Sequence, residues 1–329
     1  MDKNNKVLLS IFLAISVLIG GLAALILDTF IRVPNFLEMR SKVIVPIKLA
    51  DKTWVDREMG PKTQGWVAHS QISRPILRAV IASEDTSFYS HQGIDYYELQ
   101  ESIKKDWEEK RWARGGSTLT QQVVKNVYLG REKSLWRKFK EMVWAGKIEK
   151  VLTKSEILTF YLNMAEWGPS IYGIKDAALH YFQTTPAEIT PKQAAFLAML
   201  LPSPIKFHSY FSKKELTPFA KARVSKILRV MHRMGDLNDE EYSAALQEKL
   251  WGVTGELTGS KEGEVEPPED EESEIFIDVL KEPESRFSSP SNVQASPSQK
   301  EKLDGVSQDT KEKDVLEEPS SDLNQTRDE

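Results

Sequence analysis

The sequence predicts a mostly α-helical fold, and three observations carry that reading. Between about residues 66 and 250, short apolar stretches recur at helical spacing behind residues suited to start a helix. No stretch there alternates apolar and polar residues convincingly, as a half-buried strand would. Ahead of them, Val7 to Leu27 is a 21-residue run without charge. At ~1.5 Å per residue a helix of that length crosses a ~30 Å hydrocarbon layer.

The apolar run exceeds the roughly 7–15 residues of a signal-peptide core and meets Asp28 without a small-residue cleavage pattern, so an uncleaved membrane anchor is expected. Lys3 and Lys6 precede it and Arg32, Arg40 and Lys42 follow, so loop charge leaves its orientation open. Residues 29–65, with Pro34, Pro46 and Pro61, read as an extended connector with a short strand at Val43-Ile44-Val45. From Ser73 the text turns helical: Pro75 suits a first turn, and Ile76, Leu77, Val80 and Ile81 make one apolar face that ends at Glu84-Asp85. Tyr96 to Arg114 reads as a charged helix with Trp107 and Trp112 among Lys104, Lys105, Lys110 and Arg111. That composition suits a bilayer interface and equally a surface where basic stems cover Trp rings. Thr153 with Glu156, Thr185-Pro186 with Glu188, Thr190-Pro191 with Gln193, and Asn238 with Glu241 mark four further helix starts. Gly168, Gly173 and the Pro202/Pro204 pair interrupt the helical text.

Charge divides the chain. From Gly255 onward there are 22 Asp/Glu against 8 Lys/Arg, a balance of −14, which leaves +9 for residues 1–254 of a chain whose net charge is −5. The tail from residue 251 to 329 is rich in Ser, Pro, Glu and Asp and is expected to be disordered, its one apolar cluster being Ile275 to Leu280. A basic body tethered to a bilayer attracts anionic head groups or phosphate-bearing substrates. With no cysteine, the chain has neither a disulfide framework nor a Cys-ligated metal.

Three stretches look chosen for chemistry rather than packing. Glu84 to Asp95 begins with two carboxylates at a helix end, where they oppose the helix dipole. Gly115 to Asn126 opens on two glycines, which permit φ > 0 and close approach, and then presents Ser117, Thr118, Gln121, Gln122, Lys125 and Asn126. Arg137 to Glu141 sets three cations beside one carboxylate.

Together these stretches resemble the peptidoglycan glycosyltransferases of family 51. The motifs are E-D-x-x-F-x-x-H-x-G-x-D at Glu84–Asp95, G-G-S-T-x-T-Q-Q-x-x-K-N at Gly115–Asn126 and R-K-x-K-E at Arg137–Glu141. K-x-x-I-L-x-x-Y-L-N at Lys154–Asn163 and Q-A-A-x-L-A-x-x-L-P-x-P at Gln193–Pro204 follow in the family's order. Thr159 and Gln193 depart from the pattern, standing where many members carry Glu.

The resemblance implies a lysozyme-like, two-lobed glycosyltransferase domain over 66–250, behind a cytoplasmic N-tail and single transmembrane helix at 1–28. Ser102/Lys105 and Ser203/Lys206 have no Lys-Thr-Gly companion, so a monofunctional enzyme without a transpeptidase domain is expected. It implies polymerisation of lipid II into glycan strands by inverting transfer, on the outer, periplasmic side of the cytoplasmic membrane. Glu84 would be the base and Glu141 the second carboxylate. Lys125, Arg137, Lys138 and Lys140 would meet the departing diphosphate, and Asp85, His91, Ser117, Thr118, Gln121, Gln122 and Asn126 would bind or orient substrate. A divalent cation, Mg or Mn, near Glu141 is an expectation of the same kind. The implied partners are lipid II, the growing lipid-linked strand, membrane lipids and, through the acidic tail, cell-wall synthesis proteins, with no nucleic acid. A lysozyme-like glycan-cleaving enzyme and a non-catalytic cell-wall scaffold are the alternatives.

Overall fold

The computed structural model describes residues 3–109, 116–130, 132 and 134–251. Lys110, Arg111, Trp112, Arg114, Gly115 and the acidic tail from Gly252 lie outside the described residues, as do the side chains of Lys105 and Trp107. Helix α1, Lys3–Ile31, is the apolar run. Every side chain from Val7 to Leu27 is exposed, and among the described residues only this helix is long and apolar enough to cross a membrane. An apolar surface uncovered by protein is what a helix surrounded by lipid presents.

The segment expected as a connector is part of the body. Strands β1 (Val43–Lys48) and β2 (Trp54–Met59) form an antiparallel hairpin with Val45 opposite Arg57 and Ile47 opposite Val55. Val43, Val45 and Ile47 point into the core while Ile44 is 60% exposed, the period-two burial of a one-sided strand. Ile44 on the outer face and Pro46 in mid-strand hide that alternation in the sequence. In a two-stranded sheet β1 keeps a free edge, where a residue without an N–H is tolerated. The Tyr172 hydroxyl fixes the hairpin, accepting from the Lys48 amide at 2.9 Å and donating to the Lys48 carbonyl at 2.8 Å.

Helices α2 (Arg74–Glu84), α3 (Tyr96–Glu109), α4 (Leu119–Tyr128), α5 (Leu135–Ile148) and α6 (Lys154–Met164) follow. The short pair β3 (Glu166–Gly168) and β4 (Ile171–Tyr172) then leads into α7 (Ile174–Phe182), α8 (Pro191–Leu200), α9 (Pro204–Lys213), α10 (Pro218–Arg233) and α11 (Asp239–Gln247). Residues Ile157 to Met164 of α6 and Ala194 to Leu200 of α8 are buried one after another, so these two helices form the centre. α2 packs along α8, and the Ser83 hydroxyl reaches the Ala198 carbonyl at 3.4 Å.

Thr153, Thr190 and Asn238 cap α6, α8 and α11, each with a reciprocal bond from the residue three positions on. Gln193 serves α8 as Glu would, its Oε1 accepting from the Thr190 amide at 3.1 Å. Thr159 donates to the Ser155 carbonyl at 2.6 Å and lies 2.9 Å from His69 Nδ1, so the short side chain is satisfied without a carboxylate. No helix starts at Thr185. Its hydroxyl bonds Glu188 at 2.9 Å and closes a turn, because Pro191 holds Thr190 in extended backbone and starts the next helix there.

Because β1 belongs to the core, Ile47→Ala should destabilise the whole domain by about 2–5 kcal/mol in denaturant unfolding. Ile44→Ala, on the outer face of the same strand, should stay within about 0.5 kcal/mol of wild type.

Candidate active site

The site is assembled around the end of α2. Glu84 is its last residue and Asp85 its C-cap. Asp85 turns its carboxylate toward a different helix: Oδ2 accepts the Leu119 amide at the start of α4 at 2.9 Å. His91 Nε2 lies 3.0 and 3.1 Å from the two oxygens. The Gly93 amide donates to His91 Nδ1 at 3.1 Å, so Nε2 carries the proton and donates to Asp85. These side chains are only 2% and 6% exposed. An anion held at a helix N-terminus is favoured by the dipole and the free N–H groups, and here it pins α4 beside the end of α2.

Glycine is required at position 93. Its φ is +90°, and a Cβ there would sit 2.3 Å from the Ala145 carbonyl oxygen of α5. The Thr118 hydroxyl donates to the Gly93 carbonyl at 2.7 Å and accepts the Gln121 amide at 3.1 Å, while Gln121 Oε1 accepts the Thr118 amide at 3.0 Å. Below them Glu149 accepts from Lys154 at 2.7 Å and from the Thr120 hydroxyl. Asp85, His91, Thr118 and Gln121, expected to touch substrate, are therefore engaged with protein. They form the scaffold on which the site rests.

What this scaffold positions is Glu84. Gln122, one turn into α4, donates from Nε2 to Glu84 Oε2 at 3.0 Å and faces the Tyr161 hydroxyl through Oε1 at 3.3 Å. Glu84 is half-buried. That desolvation raises its pKa above the ordinary carboxylate range. The Gln122 bond and the charges of Arg223 and Lys125 oppose the rise, and Asp85 adds to it. Burial pulls the Lys125 ammonium below its ordinary range; Glu141 and Glu84 counteract this, and Arg137 and Lys138 reinforce it. Lys125 thus feels both carboxylates. Asn126 beside it is exposed.

The second centre lies on α5. Lys138 Nζ bridges Ser117 Oγ at 2.7 Å and Glu141 Oε1 at 2.6 Å, and the Arg137 guanidinium stands 3.5 Å from Glu141 Oε2. Arg137 Nε is buried and finds no acceptor among the described residues, an open demand for a ligand oxygen. Lys140 is not part of this group. Its ammonium pairs with Asp28 at the end of α1 at 2.9 Å, because it projects from another side of the helix.

A divalent cation near Glu141 would have that one carboxylate, with the oxygens of a bound diphosphate, to hold it. Glu141 is a lone carboxylate already held by two cations, and among the described residues no three His, Asp or Glu side chains gather to hold a metal. Sequence reasoning assigned no role to two residues around Glu84. Tyr161 stood in a quoted motif, where its hydroxyl gave no sign of reaching Gln122. Arg223 lies on α10, beyond every motif, and nothing local marks it.

The family model described as Transglycosylase matches residues 52–232, more than half of the chain. This chain belongs to the transglycosylase family. The model's start inside the hairpin agrees with a body that begins before residue 66. Curated relatives named biosynthetic peptidoglycan transglycosylase include one from Nitrosomonas eutropha, 39% identical over 162 residues, covering 49% of this chain and 66% of the relative. One from Nitrosomonas europaea is 44% identical over 159 residues, covering 47% and 65%. One from Bordetella avium is 38% identical over 192 residues, covering 55% and 76%. The chain thus spans just under two thirds of the length of the two Nitrosomonas relatives, 66% and 65%. A crystal structure of penicillin-binding protein 1A from Haemophilus influenzae aligns at a TM-score of 0.32 and 20% identity over 64% of this chain and 21% of that one, too loose a likeness to carry weight.

In this chain a raised carboxylate pKa is a stability cost. The folded state holds the Glu84 proton more tightly than the unfolded state, so stability is full below the ordinary carboxylate range and is lost as pH rises through the folded pKa. Glu84→Gln should therefore raise the unfolding free energy at pH 7, by about 1.4 kcal/mol for every tenfold by which folding tightens the hold on that proton. Denaturant unfolding across pH should show the gain fading as pH falls toward about 4, the ordinary range of a free glutamate.

Proposed function

We propose that this chain polymerises lipid II, transferring the growing lipid-linked glycan onto a sugar hydroxyl with inversion and release of a lipid diphosphate. Glu84 takes the proton of the acceptor hydroxyl as that oxygen attacks the donor's anomeric carbon. The new C–O bond forms as the bond to the diphosphate oxygen breaks, and the electron pair leaves with the diphosphate. Arg137, Lys138 and Lys125, with Ser117, meet the charge that develops there. Glu141 holds Arg137 and Lys138 in place.

The observation that carries this reading is a half-buried carboxyl of raised pKa at the end of α2, together with a cation centre on α5 that still has an open donor, Arg137 Nε. Glycan cleavage needs a carboxyl of raised pKa but has no diphosphate to neutralise, so it leaves the α5 cations without a role. The basic body supports the same substrate, since it attracts an anionic lipid to a surface that α1 holds at the bilayer. The site is proposed to face the outer side of the cytoplasmic membrane, where such a lipid-linked precursor would be consumed.

Glu84→Gln should cut lipid II polymerisation by about 10²–10⁴-fold while the protein stays folded; release of fragments from finished peptidoglycan by the wild type, with no use of lipid II, would favour cleavage instead. The base must be ionised, so kcat/KM should fall as pH drops through the Glu84 pKa. Gln122→Leu removes a bond that lowers this pKa, and should move the acid limb of the pH–rate profile to higher pH.

A further inference from the structure

Lys140 leads to an inference that rests on the reaction just proposed. Helix α5 meets two different partners. One side presents Arg137, Lys138 and Glu141, and another is clamped to the end of α1. Lys140 Nζ pairs with Asp28 Oδ2 at 2.9 Å and lies 6.0 and 5.8 Å from the ring centroids of Trp136 and Trp144. Trp144 Nε1 donates to the Thr29 carbonyl at 2.9 Å, with Trp144 6% exposed and Thr29 fully buried. Lys147 Nζ stands 5.1 Å from the centre of the Phe30 ring.

These contacts answer the needs of a helix C-terminus. α1 ends at Ile31, so the Thr29 carbonyl has no partner within the helix, and the buried Trp144 N–H supplies one. α1 has no basic residue in its own last turn, and Lys140 and Lys147 bring positive charge to its negative end from α5. Asp28 is shared with Arg32 at 2.7 Å, but Arg32 is 80% exposed, which leaves Lys140 as the partner that ties it to the body.

We propose that Lys140 is a positioning residue. Through Asp28, and with Trp144 on Thr29, it locks the helix bearing Arg137 and Lys138 to the membrane anchor. The cation centre is thereby held at a fixed height and rotation relative to the bilayer from which a lipid-borne diphosphate is presented. This differs from direct contact between Lys140 and the diphosphate, and charge exchange separates the two.

The test uses the full chain in lipid vesicles with lipid II as substrate, comparing Lys140→Asp, Asp28→Lys and the double exchange. Each single variant should lose about tenfold or more in kcat with a smaller change in KM, because small misplacement of catalytic groups is costly. The double exchange should recover to within about threefold of wild type, and Lys140→Arg should stay near wild type, as a charge clamp requires. Thermal unfolding of every variant identifies loss of fold, and Lys140→Met replaces Lys140→Asp in the comparison if the latter unfolds. A double exchange as inactive as Lys140→Asp alone, or single variants as active as wild type, would overturn the proposal. A wild type that never consumes lipid II would instead overturn the reaction on which it rests.

Discussion

The Asp85 carboxylate is where the fold and the site meet. A buried anion is tolerated only when its charge is answered, and Asp85 is answered by the first amide of α4 and by His91. Satisfying it joins the end of one helix to the start of another that lies more than 30 residues on in the chain. Gln122 then falls one turn into α4, where it reaches Glu84, and Lys125 follows on the next turn. The same loop lies against α5 at Gly93, so the helix that carries the cations is set by the same joint. Two acids at a helix end are poor for α2, and the structure resolves this by giving one to the Leu119 amide and the other to Gln122.

The electrostatic layout suits a reaction that moves charge. In the proposed reaction Glu84 takes a proton and loses its negative charge, while negative charge appears on the departing diphosphate. A fixed cation within electrostatic reach of both positions is favourably placed at the beginning and at the end. Lys125 feels both carboxylates, and they sustain its charge against burial. Pairing Arg137 and Lys138 with Glu141 keeps their heads in place before substrate arrives, so little reorganisation remains for the reaction itself.

Much of this was legible in the sequence because it follows local rules. The caps at Thr153, Thr190 and Asn238, the apolar face of α2 and the spacing of the motifs can each be read from a few neighbouring residues. What could not be read depends on distant pairing or on which way a side chain turns. Asp85, His91, Thr118 and Gln121 looked like ligands because a polar residue in a motif reads the same whether it binds backbone or substrate. Lys140 looked like its neighbours in the third motif, and only its contact with Asp28, 112 positions away, reassigns it. The strand at Val43-Ile44-Val45 was legible, but its length and its pairing with β2 were not, because Pro46 stands in mid-strand and the partner lies farther along the chain.

The most direct test of the central claim is a titration of the Glu84 side-chain carboxyl by carbon-13 NMR in the full chain. A midpoint above the ordinary glutamate value of about 4.3 is the predicted result, since burial at the end of α2 outweighs Gln122, Lys125 and Arg223. A midpoint at or below that value would contradict it, for the Gln122 bond and the charges of Lys125 and Arg223 would then outweigh burial at Glu84.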